Sequence, residues 1–220
     1  MKAHAYQPDR SAERLEMVER QIAVRGVRAI DVLAAMRAVP RERFVPDERA
    51  DEAYSDSALP IDCGQTISQP YIVARMTELL ALPPGGRALE IGTGTGYQTA
   101  VLSRLAGEVY TIEWHLPLMV AACERLRALG AANVRFRCGD GSLGWAEQAP
   151  FDGILVTAGA PDVPDALTRQ LAVGAKLVVP IGPVGDQSLL VVERGVSGLT
   201  RETVLPCRFV KLLGSQGWSA

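Results

Sequence analysis

The spacing of hydrophobic residues predicts a helical N-terminal region. Apolar residues recur at helical spacing over residues 11–25, and Gly26 follows in the position of a helix stop. A second short helix is predicted over residues 30–36. The periodicity is lost over residues 40–69, and a third helix, with proline in its first turn, is predicted over residues 70–82. This part of the chain therefore reads as a helical extension rather than as part of a sheet.

From residue 87 onward the pattern alternates between short apolar runs and helical segments. The predicted strands are residues 87–91, 108–113, 133–138, 151–157, 175–181, 187–194 and 201–210. Three helices are predicted between these strands. The first begins after Gly96, the second follows strand 108–113 and ends near Leu129, and the third covers about residues 163–172. Repeated strand–helix units predict a parallel sheet with helices on both faces, and the last two strands, joined by a short turn, predict an antiparallel edge. The fold class is therefore doubly wound α/β.

Composition and charge narrow the classes of function. The chain has 220 residues, of which 48% are hydrophobic, enough for a buried core. A net charge of −2 gives no general attraction for nucleic acid or an anionic membrane. The first residues lack the apolar stretch of a secretory signal, and no run approaches membrane-spanning length. We therefore expect a cytoplasmic protein without nucleic acid or membrane partners.

The cysteines and histidines do not form a metal-binding pattern. No C-x-x-C pair is present, and the two histidines, His4 and His115, lie in no motif that points to reacting atoms. Reduced cysteines, surface histidines and no metal are expected. The four cysteines are Cys63, Cys123, Cys138 and Cys207.

The most informative motif lies where the first strand of the alternating region ends. Gly92, Gly94 and Gly96 are spaced G-x-G-x-G and open a helix, which lets the backbone turn sharply and a ligand approach closely. Dinucleotide binders use G-x-G-x-x-G instead. The preceding Glu90 would repel a pyrophosphate, but it suits a ligand with an ammonium and a sulfonium group. The pattern therefore favours S-adenosylmethionine over a nicotinamide cofactor.

A second acid supports the same ligand. Glu113 ends the next predicted strand about twenty residues on, where an acid can bind both ribose hydroxyls. The carboxyl ends of parallel strands share one edge of the sheet, so several further groups converge there. The predicted cofactor-binding residues are Glu90, Gly92, Thr93, Gly94, Thr95, Gly96, Glu113, Asp140, Gly141 and Thr157.

An unusual polar segment, residues 59–70, precedes the first strand of the alternating region. It carries hydroxyl and amide groups and leads directly into a helix N-terminus, where free N–H groups favour a carboxylate. Alternatively, Thr66 and Ser68 only shape the turn and satisfy the helix start. The residues alone do not decide between these two interpretations.

The chain resembles the protein-L-isoaspartate (D-aspartate) O-methyltransferase family along nearly its whole length. The glycine motif is shared by many methyltransferases, whereas the 64–70 block together with residues 208–210 is more specific. The matching segments are residues 39–46, 54–56, 59–61, 64–70, 89–99, 139–141, 151–152, 208–210 and 217–218.

The resemblance implies a fold, a reaction and roles for particular residues. The fold would be the Rossmann-like sheet of class I methyltransferases, with residues 1–82 as helical cap and substrate-binding segment and 83–220 as the cofactor-binding core of one structural domain. Ser68 would be catalytic, and the substrate-binding residues would be Asp56, Thr66, Ile67 and Val210. The enzyme would act as a monomer on isoaspartyl residues of damaged proteins, methylating their free carboxyl and starting repair through a succinimide. Activity on D-aspartyl residues stays open.

Two positions depart from the family pattern. Cys63 stands where glycine is expected, and Lys211 follows Val210 where proline is usual. Lysine frees a backbone N–H and adds a charge near the peptide groove, so the departures leave the peptide preference open. The alternatives are a related methyltransferase acting on another peptide or small-molecule carboxylate, and a non-catalytic S-adenosylmethionine-binding module.

Overall fold

The computed structural model of the protein describes residues 9–219, so His4 and the first residues lie outside the described part. The N-terminal region contains helices α1 (Ser11–Met17), α2 (Ile30–Ala38) and α3 (Pro70–Leu80). Asp9 accepts hydrogen bonds from the backbone N–H and the hydroxyl of Ser11 at the start of α1. The two helical turns that follow α1 end at Gly26, whose φ of 96° is in the left-handed region. The predicted helical extension is present.

Between α2 and α3 the chain forms a small hairpin of two-residue strands, β1 (Leu59–Pro60) and β2 (Thr66–Ile67). The strands are antiparallel, with Leu59 opposite Ile67, and both of these side chains are buried. The sequence predicts no regular element over residues 40–69. The turn of this hairpin is therefore held by the buried side chains of Leu59 and Ile67 at its base and not by a periodic pattern of apolar residues.

The remaining seven strands form one sheet in the order β5-β4-β3-β6-β7-β8-β9. Strands β3 to β7 are parallel, β8 is antiparallel to β7, and β9 is antiparallel to β8. The predicted doubly wound sheet with antiparallel pairing at one edge is confirmed. Its strands are β3 (Arg87–Ile91), β4 (Glu108–Glu113), β5 (Val134–Cys138), β6 (Phe151–Val156), β7 (Leu171–Ile181), β8 (Gln187–Gly195) and β9 (Gly198–Cys207).

Three helices connect the parallel strands: α4 (Tyr97–Ser103), α5 (Leu116–Ala128) and α6 (Asp165–Arg169). The helix predicted over 163–172 is too long, because Leu171 already pairs with Phe151 of β6 and is buried there. Burial against the neighbouring strand outweighs local helical spacing at this point.

The last predicted strand, 201–210, also ends early, at Cys207. Phe209 donates its N–H to Gln187 Oε1, and the carbonyl of Val210 accepts the N–H of Gly159. These contacts draw the chain off the sheet edge and across the strand ends, toward the glycine turn.

The hydrophobic core crosses the predicted boundary at residue 82. Met17, Phe44 and Ile67 of the N-terminal region belong to the same buried cluster as Tyr97 of α4 and Leu126 of α5. Phe44 and Tyr97 pack edge to face, with ring centroids 5.5 Å apart. The N-terminal region is thus packed on helices α4 and α5. The division into parts 1–82 and 83–220 stays a prediction. Within residues 9–219, no helix combines the length and the apolar character needed to span a bilayer.

Candidate active site

The glycine turn after β3 uses the left-handed backbone at each of its three glycines. The φ angles are 96° at Gly92, 54° at Gly94 and 93° at Gly96. A Cβ on Gly92 would overlap Oγ1 of Thr157, and one on Gly96 would lie 3.1 Å from the Leu126 side chain. At Gly92 and Gly96 glycine is therefore required both for backbone conformation and for space.

Thr157 braces this turn from β6. Its hydroxyl lies 3.0 Å from the carbonyl oxygen of Ile91 and 2.6 Å from that of Gly92. Its backbone N–H donates to Ile91 as well. Thr157 therefore fixes the end of β3 while its side chain lines the cleft.

Glu113, at the end of β4, faces the same turn. Its carboxylate accepts the N–H of Gly94 at 2.8 Å through one oxygen and the N–H of His115 at 2.9 Å through the other. The side chain is buried but lines the cleft. Each carboxylate oxygen can accept a second hydrogen bond, so both retain capacity for a ligand hydroxyl.

Glu90 lies beneath the turn and not in the cleft. It is fully buried, and its Oε2 accepts hydrogen bonds from Thr99 at 2.5 Å and Thr111 at 2.7 Å. Its Oε1 has no partner among the described residues. Burial raises the pKa of Glu90 to about 8, nearby Glu113 adds to the rise, and the two hydroxyl donors only partly offset it. Direct contact with a ligand therefore stays a prediction for this residue.

Asp140 holds the C-terminal segment. Its carboxylate accepts hydrogen bonds from the backbone N–H and hydroxyl groups of both Ser142 and Ser215. Burial acts to raise the pKa of Asp140, but these hydrogen bonds outweigh it and hold the pKa below its usual value. The neighbouring Gly141 does line the cleft, and a Cβ there would lie 2.5 Å from Ile91.

On the opposite wall, the hairpin places Thr66, Ile67 and Ser68 on the cleft. Helix α3 is N-capped by Gln69 without any side-chain capping bond, and within residues 9–219 the Ser68 hydroxyl makes no hydrogen bond. The helix-capping interpretation of Ser68 is therefore not what the structure shows. Its hydroxyl is half-buried and available to a ligand.

The segment after β9 completes this wall. Gly159 donates its N–H to Val210 at 2.7 Å and accepts the N–H of Leu212 at 2.8 Å. The Trp218 indole also donates to the Gly159 carbonyl, at 3.0 Å. The N–H groups of Val210 and Lys211 have no acceptor within the described part of the chain, and both residues line the cleft.

The structure brings most of the predicted site residues to one cleft. Those lining it are Thr66, Ile67, Ser68, Gly92, Thr93, Gly94, Thr95, Glu113, Gly141, Thr157 and Val210. Those that do not line it are Asp56, Glu90, Gly96 and Asp140. Asp56 pairs with Arg25 at 3.0 Å, and its carbonyl accepts the Gln69 side chain, so it supports the substrate segment from outside.

Sequence reasoning missed several lining residues, among them Trp114 and His115. His115, expected at the surface, is half-buried on the cleft, with Nε2 3.4 Å from the amide nitrogen of Gln65. Their position in the sequence could have indicated this, because both residues directly follow Glu113 at the end of a strand. Their side chains offered no motif of their own.

Cys63, one of the two departures, occupies a left-handed backbone position with φ of 57°. L-residues with side chains rarely adopt this conformation, which agrees with the expectation of glycine there. All four cysteines are unpaired. No group of three or more metal-ligating side chains occurs among the described residues.

Comparisons with known proteins agree on one family. The model for the family described as Protein-L-isoaspartate(D-aspartate) O-methyltransferase (PCMT) matches residues 12–217. A protein-L-isoaspartate O-methyltransferase of Geobacter metallireducens is 54% identical over 206 residues, covering 93% of this chain and 95% of its own length. One of Methylorubrum extorquens is 53% identical over 211 residues, covering 96% and 92%.

Solved structures show the same relationship. A protein-L-isoaspartate O-methyltransferase structure superposes with a TM-score of 0.83 at 32% identity, over 94% of this chain and 67% of that one. A putative enzyme of this type from Plasmodium falciparum, in complex with S-adenosyl-L-homocysteine, superposes with a TM-score of 0.80 at 25% identity, over 91% and 98%. The chain therefore belongs to the protein-L-isoaspartate(D-aspartate) O-methyltransferase family.

Proposed function

We propose that this protein transfers a methyl group from S-adenosylmethionine to the free carboxylate of L-isoaspartyl residues in damaged proteins and peptides. The observation that carries the proposal is the Ser68 hydroxyl, which faces the same cleft as the glycine turn and makes no hydrogen bond within residues 9–219. Family membership supports the reaction.

The residues present fit the methyl donor. The turn at Gly92 and Gly94 exposes backbone without a Cβ, and Glu113 keeps acceptor capacity for the ribose hydroxyls. The exposed Trp114 offers an aromatic face beside them for the adenine ring. When bound, S-adenosylmethionine supplies an electrophilic methyl group on its sulfonium.

The substrate carboxylate needs no general base, because a carboxyl with a pKa of about 4 is ionised at neutral pH. Ser68 would donate a hydrogen bond to one carboxylate oxygen and leave the other free to attack. Holding two reactants in attack geometry can contribute about 7–11 kcal/mol to the rate enhancement. Ile67 and Val73 add apolar surface to the cleft, and exclusion of water there raises the reactivity of the carboxylate.

The peptide around the reacting residue would bind in an extended form along residues 210–211. The N–H of Lys211 lies on the edge opposite the Gly159 contacts and has no acceptor in the described chain, which suits pairing with a second extended backbone. The Val210 carbonyl is already bound by Gly159, which holds this edge in place.

The product chemistry follows from the ester. The carboxylate oxygen forms a bond to the methyl carbon as the carbon–sulfur bond breaks. The neighbouring backbone nitrogen then attacks the ester carbonyl, methanol leaves and a succinimide forms. Water opens the ring at either carbonyl, so part of the product is ordinary aspartate. This sequence would repair the isomerised bond.

The test is methylation of matched peptides that contain isoaspartyl, aspartyl or D-aspartyl at one position. We expect base-labile methyl incorporation into the isoaspartyl peptide and little into its aspartyl twin. The D-aspartyl peptide measures how far the activity extends. An alkali-stable product, or equal labelling of the isoaspartyl and aspartyl peptides, contradicts the proposal.

A further inference from the structure

We propose that Lys211 is a specificity-determining residue, which selects isoaspartyl substrates that carry an acidic side chain beside the reacting residue. The inference rests on the proposed function and adds a substrate preference to it. It starts from one observation: among the described residues that line the cleft, Lys211 is the only lysine or arginine.

The backbone at Lys211 is anchored while its side chain is exposed. The carbonyl of Val210 and the N–H of Leu212, on either side of it, are both bound to Gly159. Leu212 is buried, and Lys211 on the alternate face is exposed. The side chain therefore starts from a fixed point and extends toward solvent at the substrate wall.

The Lys211 ammonium forms no ion pair within residues 9–219, unlike Lys176, whose ammonium lies 4.0 Å from Glu193. The single Asp or Glu on the described cleft lining is Glu113, whose carboxylate already accepts two backbone N–H groups. Lys211 is thus an unneutralised cation at the substrate wall. Since the whole chain carries a charge of −2, this attraction is local and not a property of the overall field.

The reacting carboxylate is a poor partner for this cation. Its negative charge disappears as the oxygen–methyl bond forms, so a direct ion pair would stabilise the substrate more than the transition state. A neutral donor such as Ser68 avoids that penalty. Lys211 is better matched to a carboxylate that stays charged throughout the reaction.

A flanking Asp or Glu side chain meets that requirement. The free N–H of Lys211, on the edge opposite Gly159, suits an extended peptide beside it, which would bring a neighbouring side chain to the Lys211 ammonium. Such a contact acts on binding and not on methyl transfer. It should therefore appear in KM and leave kcat unchanged.

The experiment compares isoaspartyl peptides that differ only by Glu or Gln at one flanking position, on each side in turn. For the unaltered enzyme we expect kcat/KM to be about two- to ten-fold higher with Glu on one side, through a lower KM, and the ratio to shrink as salt is added. Lys211→Gln should bring the ratio to about one, and Lys211→Arg should retain it. Lys176→Gln, away from the cleft, is the matched control and should leave the ratio unchanged.

The outcomes separate the two proposals. If the unaltered enzyme treats Glu and Gln peptides alike, or if Lys211→Gln keeps the preference, the specificity role of Lys211 is wrong while the methyltransferase activity stands. If no isoaspartyl peptide is methylated by any variant, the proposed function itself fails. Melting temperatures confirm that each variant is folded, as expected for the exposed Lys211 and the half-buried Lys176.

Discussion

The two walls of the cleft differ in how their polar groups are used. On the cofactor wall, formed by the glycine turn with Glu113 and Thr157, the polar side chains are already bonded within the chain. On the substrate wall, the Ser68 hydroxyl, the N–H groups of residues 210–211 and the Lys211 ammonium have no partner among the described residues. The first wall is pre-organised by its own contacts, whereas the second presents free groups.

This difference between the walls predicts that substitutions on the cofactor wall affect folding, whereas substitutions on the substrate wall affect only catalysis or specificity. Pre-organised donors and acceptors cost no rearrangement on binding, but they leave no room for a larger side chain. Free groups on the substrate wall contribute little to stability, so removing them should alter catalysis or specificity in a folded protein.

The largest effect is expected at Gly92. Gly92→Ala places a Cβ against Thr157 Oγ1 at a φ of 96°, so strain and overlap together should lower stability by about 2–5 kcal/mol and abolish cofactor binding. Denaturant unfolding and calorimetry measure both. Gly94→Ala is the matched control, since it shares the positive φ but its Cβ would find only Ile61, at 3.8 Å. Equal losses in the two variants would mean that the contact with Thr157 does not matter.

Ser68→Ala tests the substrate wall. Loss of one donor at a reacting centre should lower single-turnover rates by roughly ten- to a thousand-fold, with cofactor affinity and melting temperature preserved. The pH profile should keep its shape, because Ser68 exchanges no proton. A folded variant with the unaltered rate would remove Ser68 from the mechanism and weaken the contrast between the walls.

The buried Glu90, which lies beneath the glycine turn, is tested by the dependence of stability on pH. Its pKa is raised from 4.5 to about 8, so between these values the folded protein keeps a proton that the unfolded chain releases. Stability contributed by the neutral carboxyl is therefore present below about pH 4.5 and lost as pH rises toward 8, by up to about 1.4 kcal/mol per pH unit. Glu90→Gln should remove this slope, so that the variant gains stability over the unaltered protein from pH 5 to 8. Parallel stability–pH curves would show that Glu90 is not neutral in the fold.

Glu113→Ala should weaken S-adenosylmethionine binding by about 1–3 kcal/mol, the cost of losing hydrogen bonds to a charged group. Because Glu113 also accepts the N–H groups of Gly94 and His115, some loss of stability is expected as well. Calorimetry on the folded variant measures the affinity. Unchanged affinity would limit Glu113 to bracing the turn.

The smallest effect is expected at Cys63. Cys63→Gly should raise stability by about 1 kcal/mol, because glycine adopts a φ of 57° without strain. Cys138→Gly is the control, since this exposed cysteine lies in regular strand β5 and glycine there should destabilise. If both changes destabilise, the left-handed position is not strained by cysteine.

Local patterns in the sequence were enough for much of the fold and for the cofactor wall. Strand–helix alternation predicted the sheet, since burial on both faces leaves continuous apolar runs, and glycine spacing predicted a turn that the structure shows at Gly92–Gly96. The early start of β7 escaped prediction because it depends on the pairing of Leu171 with Phe151 of another strand. Local propensity does not report such pairing. The hairpin at 59–67 escaped prediction because its strands of two residues are too short to show a periodic pattern.

Which way each polar group faces was decided only by tertiary structure. Glu90 is the penultimate residue of β3 and Glu113 the last residue of the neighbouring β4, and the sequence assigns both to the ligand. Packing nevertheless buries Glu90 beside Thr99 and Thr111 and leaves Glu113 on the cleft. Asp140 likewise accepts a hydrogen bond from Ser215, which lies 75 residues away along the chain. The sequence determined which residues reach the strand ends. The pairing of each carboxyl group with donors from remote segments decided which of them face a ligand, because a buried polar group takes its hydrogen bonds from whichever segments the fold packs beside it.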